Sequence, residues 1–297
     1  MKKVILLLVL VLTFTTTSEA FAKTSNTHTH YNRYHSSSSN GNRAIIVKSD
    51  YISDEHNFAN CKDHVLLSDT IINFYSDGRK STYTKYTIKN TDGTILQEDC
   101  YNVKHIIYNK KHYFLFRKNK KYNIMDAKGT IISSKKYKLL DEIAPNRILT
   151  SINKKYGVID IDENIIVPIK YKSFEQVGKN LYITKLNGYY GIMNCNNDIF
   201  IKNEYDKITQ IYDVFVLKKL GKYGLADATG HITYEAKYDK IKTLGEYFII
   251  KENKKCGVLD AQGKLITDIK YKKIRLNRNK LEGKINNGNW VKLQEEI

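Results

Sequence analysis

The stretch "YGVIDIDENIIVPIKY", residues 156–171, decides how the rest of the chain is read. It opens on Tyr156-Gly157, passes through a polar break at 160–164, and returns through a second apolar run to Tyr171. Two short Val/Ile-rich runs around a polar break are the pattern of two strands and a turn. "DIDEN" also has the opening of a D-x-D-x-N calcium loop. However, Ile165 stands where that loop needs glycine, and Tyr171 where it needs a bidentate glutamate. The turn reading is the better one.

The same pattern recurs along the chain, as "YTIKNTDGTILQEDCY", "YNIMDAKGTIISSKKY", "YGIMNCNNDIFIKNEY", "YGLADATGHITYEAKY" and "CGVLDAQGKLITDIKY". The anchors are Tyr86, Tyr122, Tyr156, Tyr190, Tyr223 and Cys256, spaced by 36, 34, 34, 33 and 33 residues. Each segment closes on a tyrosine 15 residues after its anchor: Tyr101, Tyr137, Tyr171, Tyr205, Tyr238 and Tyr271. A further step of 34 from Cys256 lands on Trp290, the only tryptophan in the chain. A fixed period of this length marks a tandem repeat architecture.

Each slot has a physical reading. Gly157, Gly191, Gly224 and Gly257 follow their anchors, and glycine inside a strand marks close backbone approach or a ring lying across it. Asn90, Asp126, Asp160, Asn194, Asp227 and Asp260 stand four residues after the anchor, with Gly93, Gly129, Gly230 and Gly263 three further on. Asx followed by glycine is turn chemistry. With the β-rich stretches before each anchor, every repeat supplies three or four locally connected strands, a β-meander.

This pattern resembles the WG-repeat family and its KWG-like relatives, which carry a Lys/Gly-aromatic-Gly anchor, a turn ending in Gly, and "Pro-x-x-Tyr-Asp-x-Ile". "NKKYGVIDIDENIIVPIKYKSF" (153–174) is the best copy, with Tyr156 in the tryptophan slot, Pro168 in the proline slot and Tyr171 in the tyrosine slot. The resemblance extends over residues 86–297, with tyrosine mostly in the tryptophan slot. It implies an all-β tandem array that serves interaction rather than catalysis. Such units cannot bury an apolar face alone, so neighbours must stack. The expected fold is a propeller-like or strongly curved array of six repeats and a C-terminal half repeat; the alternative is an open β-solenoid. Residues 44–85 fit the repeat poorly and read as an N-terminal cap or divergent repeat.

Residues 1–22 have a basic start, an apolar run from Val4 to Leu12 and an Ala20-Phe21-Ala22 ending, the layout of a secretory signal peptide. The run is too short to span a bilayer, and no later segment is long and apolar enough. Export to the periplasm or exterior is the expectation. Residues 23–43 are polar and low in complexity, a flexible leader. Its His28, His30 and His35 on a loose tether make a poor metal site.

The formal charge of +18 favours anionic partners if the lysines cluster, and is mere composition if they are spread evenly. Lys136, Lys170, Lys237 and Lys270 precede the closing tyrosines, and strand alternation would turn them outward as a basic row. The tyrosines themselves read as packing residues. Cys61, Cys100, Cys195 and Cys256 contain no C-x-x-C pair; three full pairings are open, and Cys61–Cys100 would pin the cap to the first repeat. The histidines show no ligating spacing, and no hydrolase, metalloprotease or phosphate-loop motif occurs. Neither a cofactor, a metal nor a catalytic residue is therefore expected. The function expected is exported, non-catalytic binding of a protein or an anionic envelope polymer, with nucleic acid less favoured. The alternative is an envelope hydrolase or lyase with a site built across repeats.

Overall fold

The computed structural model describes residues 22–31 and 46–293, all of whose regular elements are β-strands. The signal-peptide reading falls, apart from Ala22, outside the described residues, as do leader residues 32–43. Among the described residues no helix is long and apolar enough to cross a membrane.

The chain divides into two compact units. The first holds the described residues up to Asn119 together with Met125–Ile131; the second holds Lys120–Ile124 and everything from Ile132 onward. Residues 86–119, read as the first repeat, thus belong with the segment before them. In the first unit β1 (Ala22–Tyr31), β2 (Ile46–Asn57), β3 (His64–Tyr75), β4 (Lys80–Asn90), β5 (Ile95–Tyr108) and β6 (Lys111–Lys118) each pair antiparallel with the next. Part of the stretch read as a flexible leader is therefore strand β1. β7 (Lys121–Asp126) contributes residues to both units.

The second unit is a series of four-stranded meanders, the sheet type that forms the blades of propellers. The first is β8 (Leu139–Ala144), β9 (Arg147–Ile152), β10 (Lys155–Ile159) and β11 (Ile165–Tyr171). Next come β12 (Ser173–Gly178), β13 (Leu181–Leu186), β14 (Tyr189–Met193) and β15 (Ile199–Tyr205). Then follow β16 (Lys207–Ile211), β17 (Val214–Lys219), β18 (Lys222–Asp227) and β19 (Ile232–Tyr238). The fourth is β20 (Lys240–Leu244), β21 (Tyr247–Glu252), β22 (Lys255–Leu259) and β23 (Leu265–Tyr271). A three-stranded sheet, β24 (Lys273–Asn277), β25 (Lys280–Lys284) and β26 (Trp290–Lys292), completes the described chain. No shared ladder closes these sheets on one another. They stack instead, β10 against β12 and β11 against β13, with the same offsets in the sheets that follow.

The 15-residue spacing is a cross-strand pair. Tyr156 faces Tyr171, Tyr190 faces Tyr205, Tyr223 faces Tyr238, and Cys256 faces Tyr271. The anchors begin the third strand of a sheet and the closing tyrosines end the fourth. The two sets differ in burial. Tyr137, Tyr171, Tyr205, Tyr238 and Tyr271 are buried, whereas Tyr122, Tyr156, Tyr190, Tyr223 and Trp290 are half-buried. Tyr205 packs with Ile208, Phe215 and Leu217 of the next sheet, and Tyr238 with Phe248 and Ile250 of its own successor. The closing tyrosines thus seal one sheet to the next. In the first segment Tyr86 faces Cys100 instead of Tyr101, and both tyrosines are half-buried.

The glycine after each anchor answers to a bulge. Between the pairs Tyr223↔Tyr238 and Leu225↔Tyr234, β19 has two more residues than β18. The surplus backbone folds over Gly224, where an added Cβ would meet Tyr234 O at 2.4 Å and Ala236 N at 2.8 Å. Gly157 and Gly191 are covered the same way by backbone.

The Asx residues build the turn. Asp160 Oδ1 accepts the N–H groups of Asp162 and Asn164 at 3.0 and 2.8 Å, and Asp126, Asn194, Asp227 and Asp260 repeat both bonds. The third residue on is left-handed, as Gly129, Gly230 and Gly263 permit; Asn197 (φ 74°) and Glu163 (φ 65°) occupy the same slot. "DIDEN" is this turn.

Glu163 uses the slot to reach the preceding hairpin. Its carboxylate accepts bonds from Ser134 N at 2.9 Å, Ser134 Oγ at 2.6 Å and Tyr137 Oη at 2.5 Å. Burial alone would raise its pKa, but the Ser134 and Tyr137 donors outweigh that and hold it below the ordinary carboxylate value. A folded-state pKa that is depressed contributes stability above the unfolded value, about 4.3, and loses it as pH falls through the folded value. Glu163→Gln is therefore expected to lower the melting temperature at neutral pH and to flatten its decline below about pH 4. Thermal melts of both proteins across that range check this; parallel acid limbs would contradict it.

Candidate anion-binding groove

One row of side chains crosses each later sheet. In the third meander Lys207 faces Lys218, Lys218 faces Tyr223, and Tyr223 faces Tyr238. In the last sheet Lys273 faces Lys284, which faces Trp290. Directly opposed like charges destabilise a sheet, and here an aromatic ring stands next in the row to soften the cost. Lys218 Nζ lies 5.7 Å from the Tyr223 ring centre and Lys284 Nζ 5.9 Å from that of Trp290, with Arg275 stacked on the same indole at 4.0 Å.

In the sheet between them the row is Lys240, Lys251, Cys256, Tyr271. The small cysteine stands where its neighbours have a ring. A cavity of about 530 Å³ opens there, lined by Lys240, Lys242, Lys251, Cys256, Lys272 and Lys273 with Leu244, Ile249 and Ile274. The five lysines are exposed. Of the nearby carboxylates, Asp239 pairs with Lys222 at 2.6 Å and is drawn more weakly by Lys251, and Asp268 pairs with Lys270 at 3.6 Å. Lys272 Nζ also donates to Asn286 O at 3.0 Å. Burial pushes the Cys256 thiol up, with Lys251 and Lys242 pulling against it. A groove with apolar walls and five exposed ammonium groups concentrates anions.

The lysines singled out from sequence lie elsewhere. Lys136, Lys170, Lys237 and Lys270 are exposed as expected. The row they were to form is broken at the equivalent place by Glu204, which pairs with Lys219 at 2.9 Å. Lys270 instead borders a separate cavity of about 330 Å³ with Asp268, Tyr271 and Lys292. The periodic pattern found the sheets; the groove arises where the pattern fails, at Cys256.

The Cys61–Cys100 bridge is not formed, and all four cysteines are free thiols. Both sit in one apolar cluster with Phe58, Leu66, Ile88, Phe114 and Phe116, but their sulfurs are engaged separately. Cys100 Sγ donates to Glu98 O at 3.6 Å, and Cys61 Sγ lies 3.2 Å from His64 Nδ1. Burial pushes Cys100 up to about 12 and raises Cys61. Around Cys61 the first unit gathers histidines that no spacing suggested. His105 Nε2 and His112 Nδ1 are 2.9 Å apart, and His64 Nε2 donates to Ala127 O at 2.8 Å.

Residues 156–190 match the family model described as "WG containing repeat". No curated protein sequence matches the chain. Among solved structures, Kluyveromyces lactis Hsv2 is similar at 12% identity and a TM-score of 0.30, covering 65% of this chain and 71% of that one. PorZ, a surface component of the type-IX secretion system of Porphyromonas gingivalis, is similar at 9% identity and 0.24, covering 82% and 40%. The extracellular domain of BT4673 from B. thetaiotaomicron gives 8% identity and 0.21, covering 84% and 59%. Likeness at that level carries no statement about ligands.

Proposed function

We propose that this chain, which carries a WG-type repeat in an all-β tandem array, is an exported, non-catalytic binding protein whose lysine-lined groove holds an anionic macromolecule. The observation that carries the reading is the gap at Cys256. A ring present in the adjoining sheets is missing there, and the space is bordered by Lys240, Lys242, Lys251, Lys272 and Lys273. An acidic polymer of the cell envelope or an acidic protein segment fits such a groove, and periplasm or exterior is the compartment that residues 1–22 suggest. A hydrolase or lyase built across repeats would call for paired carboxylates of raised pKa. Among the described residues the shifted carboxylates move down, as Asp227, Asp239 and Glu282 do, held by turn amides, lysines and arginine.

The test is retention of the mature protein on immobilised linear polyphosphate through a salt gradient. Affinity should fall steeply with salt, and replacing Lys240, Lys251 and Lys273 by glutamate should flatten that dependence by about one slope unit per lost phosphate contact. Cys256→Tyr, which restores the ring of the adjoining sheets, should fill the groove and weaken retention while leaving the fold intact. Retention indifferent to salt, or equally reduced by reversing Lys136, Lys170, Lys237 and Lys270, rejects the groove.

A further inference from the structure

The first unit contains a second constellation, independent of the lysine groove. Cys61 precedes β3, and His64 begins it. His105 on β5 is opposite Phe114 on β6, and His112 stands two residues before Phe114. Alternation therefore places His105 and His112 on one face of that hairpin. The ligand atoms of Cys61, His105 and His112 all lie within 4.8 Å of one another. Cys61 and His105 are buried, and His112 is half-buried, leaving one side of the group open to solvent.

The surroundings are those of a prepared site rather than a solvated cluster. The Phe58 ring is 5.2 Å from His105, and the Phe114 ring 5.2 Å from His64 and 5.4 Å from His105, so aromatic rings wall the buried side of the group. His105 and His112 are stacked at 5.1 Å with their nitrogens facing, a contact that requires one ring to give up a lone pair to the other's proton. The His64 Nε2–H bond to Ala127 O fixes that ring with Nδ1 unprotonated beside the Cys61 sulfur.

We infer that Cys61, His105 and His112 bind a thiophilic transition-metal ion, Cu⁺ ahead of Zn²⁺, with His64 Nδ1 accepting the Cys61 S–H and holding the thiol in place until the ion displaces that proton. A triangle of donors no wider than this places a central ion about 2.8 Å or less from each. Sulfur and nitrogen then move in by about 0.5–0.8 Å to reach ordinary bond lengths. Binding releases the thiol proton to solvent, and the proton shared by His105 and His112 shifts to a far ring nitrogen. One thiolate and two neutral imidazoles cancel the charge of Cu⁺ but leave Zn²⁺ with one positive charge in an apolar pocket, which is costly. Soft thiolate ligation favours the same ion.

The experiment titrates the reduced full chain with Cu⁺ from a competing chelator, and separately with Zn²⁺, following thiolate-to-metal charge transfer in the ultraviolet. Stoichiometric binding with that band, tighter for Cu⁺, is expected. The residues from 23 to 43 contain histidines but no cysteine, so the band cannot come from them. Cys61→Ser should abolish the band and weaken binding by more than the about 10–100-fold that loss of a supporting residue costs. His105→Gln and His112→Gln should each weaken it, and Cys195→Ser should not. If Cys61→Ser fails to fold, X-ray absorption of the loaded wild-type protein decides, through one sulfur and two nitrogen neighbours. No charge-transfer band at saturation, a metal shell without sulfur, unchanged affinity in Cys61→Ser, or a Cys61–Cys100 disulfide in the isolated protein would each overturn the inference.

Discussion

Gly224→Ala is expected to destabilise the protein by about 3 kcal/mol, a drop of roughly 6–12 °C in melting temperature for a chain of this size. The added methyl would sit 2.4 Å from Tyr234 O, 2.8 Å from Ala236 N and 2.9 Å from Glu235 C. All three are backbone atoms, so no side chain can rotate away, and relief requires undoing the bulge of β19. Gly188→Ala is the matched control. Its φ of +93° strains any other residue, but nothing lies within 4 Å of the added carbon, so its cost is about 1–2 kcal/mol. Chemical denaturation of the two variants separates collision from conformational strain. A Gly224→Ala cost no larger than that of Gly188→Ala would mean that the bulge relaxes freely.

Tyr205→Ala should cost about 3–5 kcal/mol. Tyr205 is 2% exposed and sits between two sheets, against Ile208, Phe215 and Leu217, so its loss leaves a cavity that neither sheet can fill. Its partner Tyr190 is half-buried, with its hydroxyl accepting from Lys185 Nζ at 3.0 Å. Tyr190→Ala should cost distinctly less, about 1–2 kcal/mol, as partial burial implies. Equal losses would erase the distinction between the sealing tyrosines and the anchors. In a stacked array the lesion should also loosen the two sheets that meet at Tyr205 before the rest. Hydrogen exchange of β14 and β17 would show it.

The period, the strand pairs and the Asx turns were legible because each is a local matter, repeated often enough to stand above chance. Even the glycine slot carried its meaning, since Gly157, Gly191 and Gly224 are where backbone comes close. What a repeat cannot state is which of its slots is buried: Tyr190 and Tyr205 look alike in sequence and differ only through the neighbouring sheet. Lys240 and Lys251 meet as partners on β20 and β21, Lys273 comes from β24 of the following sheet, which packs on β22, and the decisive residue, Cys256, reads in sequence as one more apolar anchor. The histidines were harder still. His64 and His105 are brought together by pairing through β3, β4 and β5, so no spacing between them signals a common site.

The strand order within these sheets has a consequence for how fast the protein can form. Every strand of the second unit's meanders is bonded to the one before or after it in sequence. Chain closure therefore involves only short connections, whose entropic cost is small. β proteins are slow folders when their pairings are remote in sequence, and that brake is absent here. Each meander can assemble as soon as its own residues are available, and its completed edge presents the surface on which the following sheet is laid.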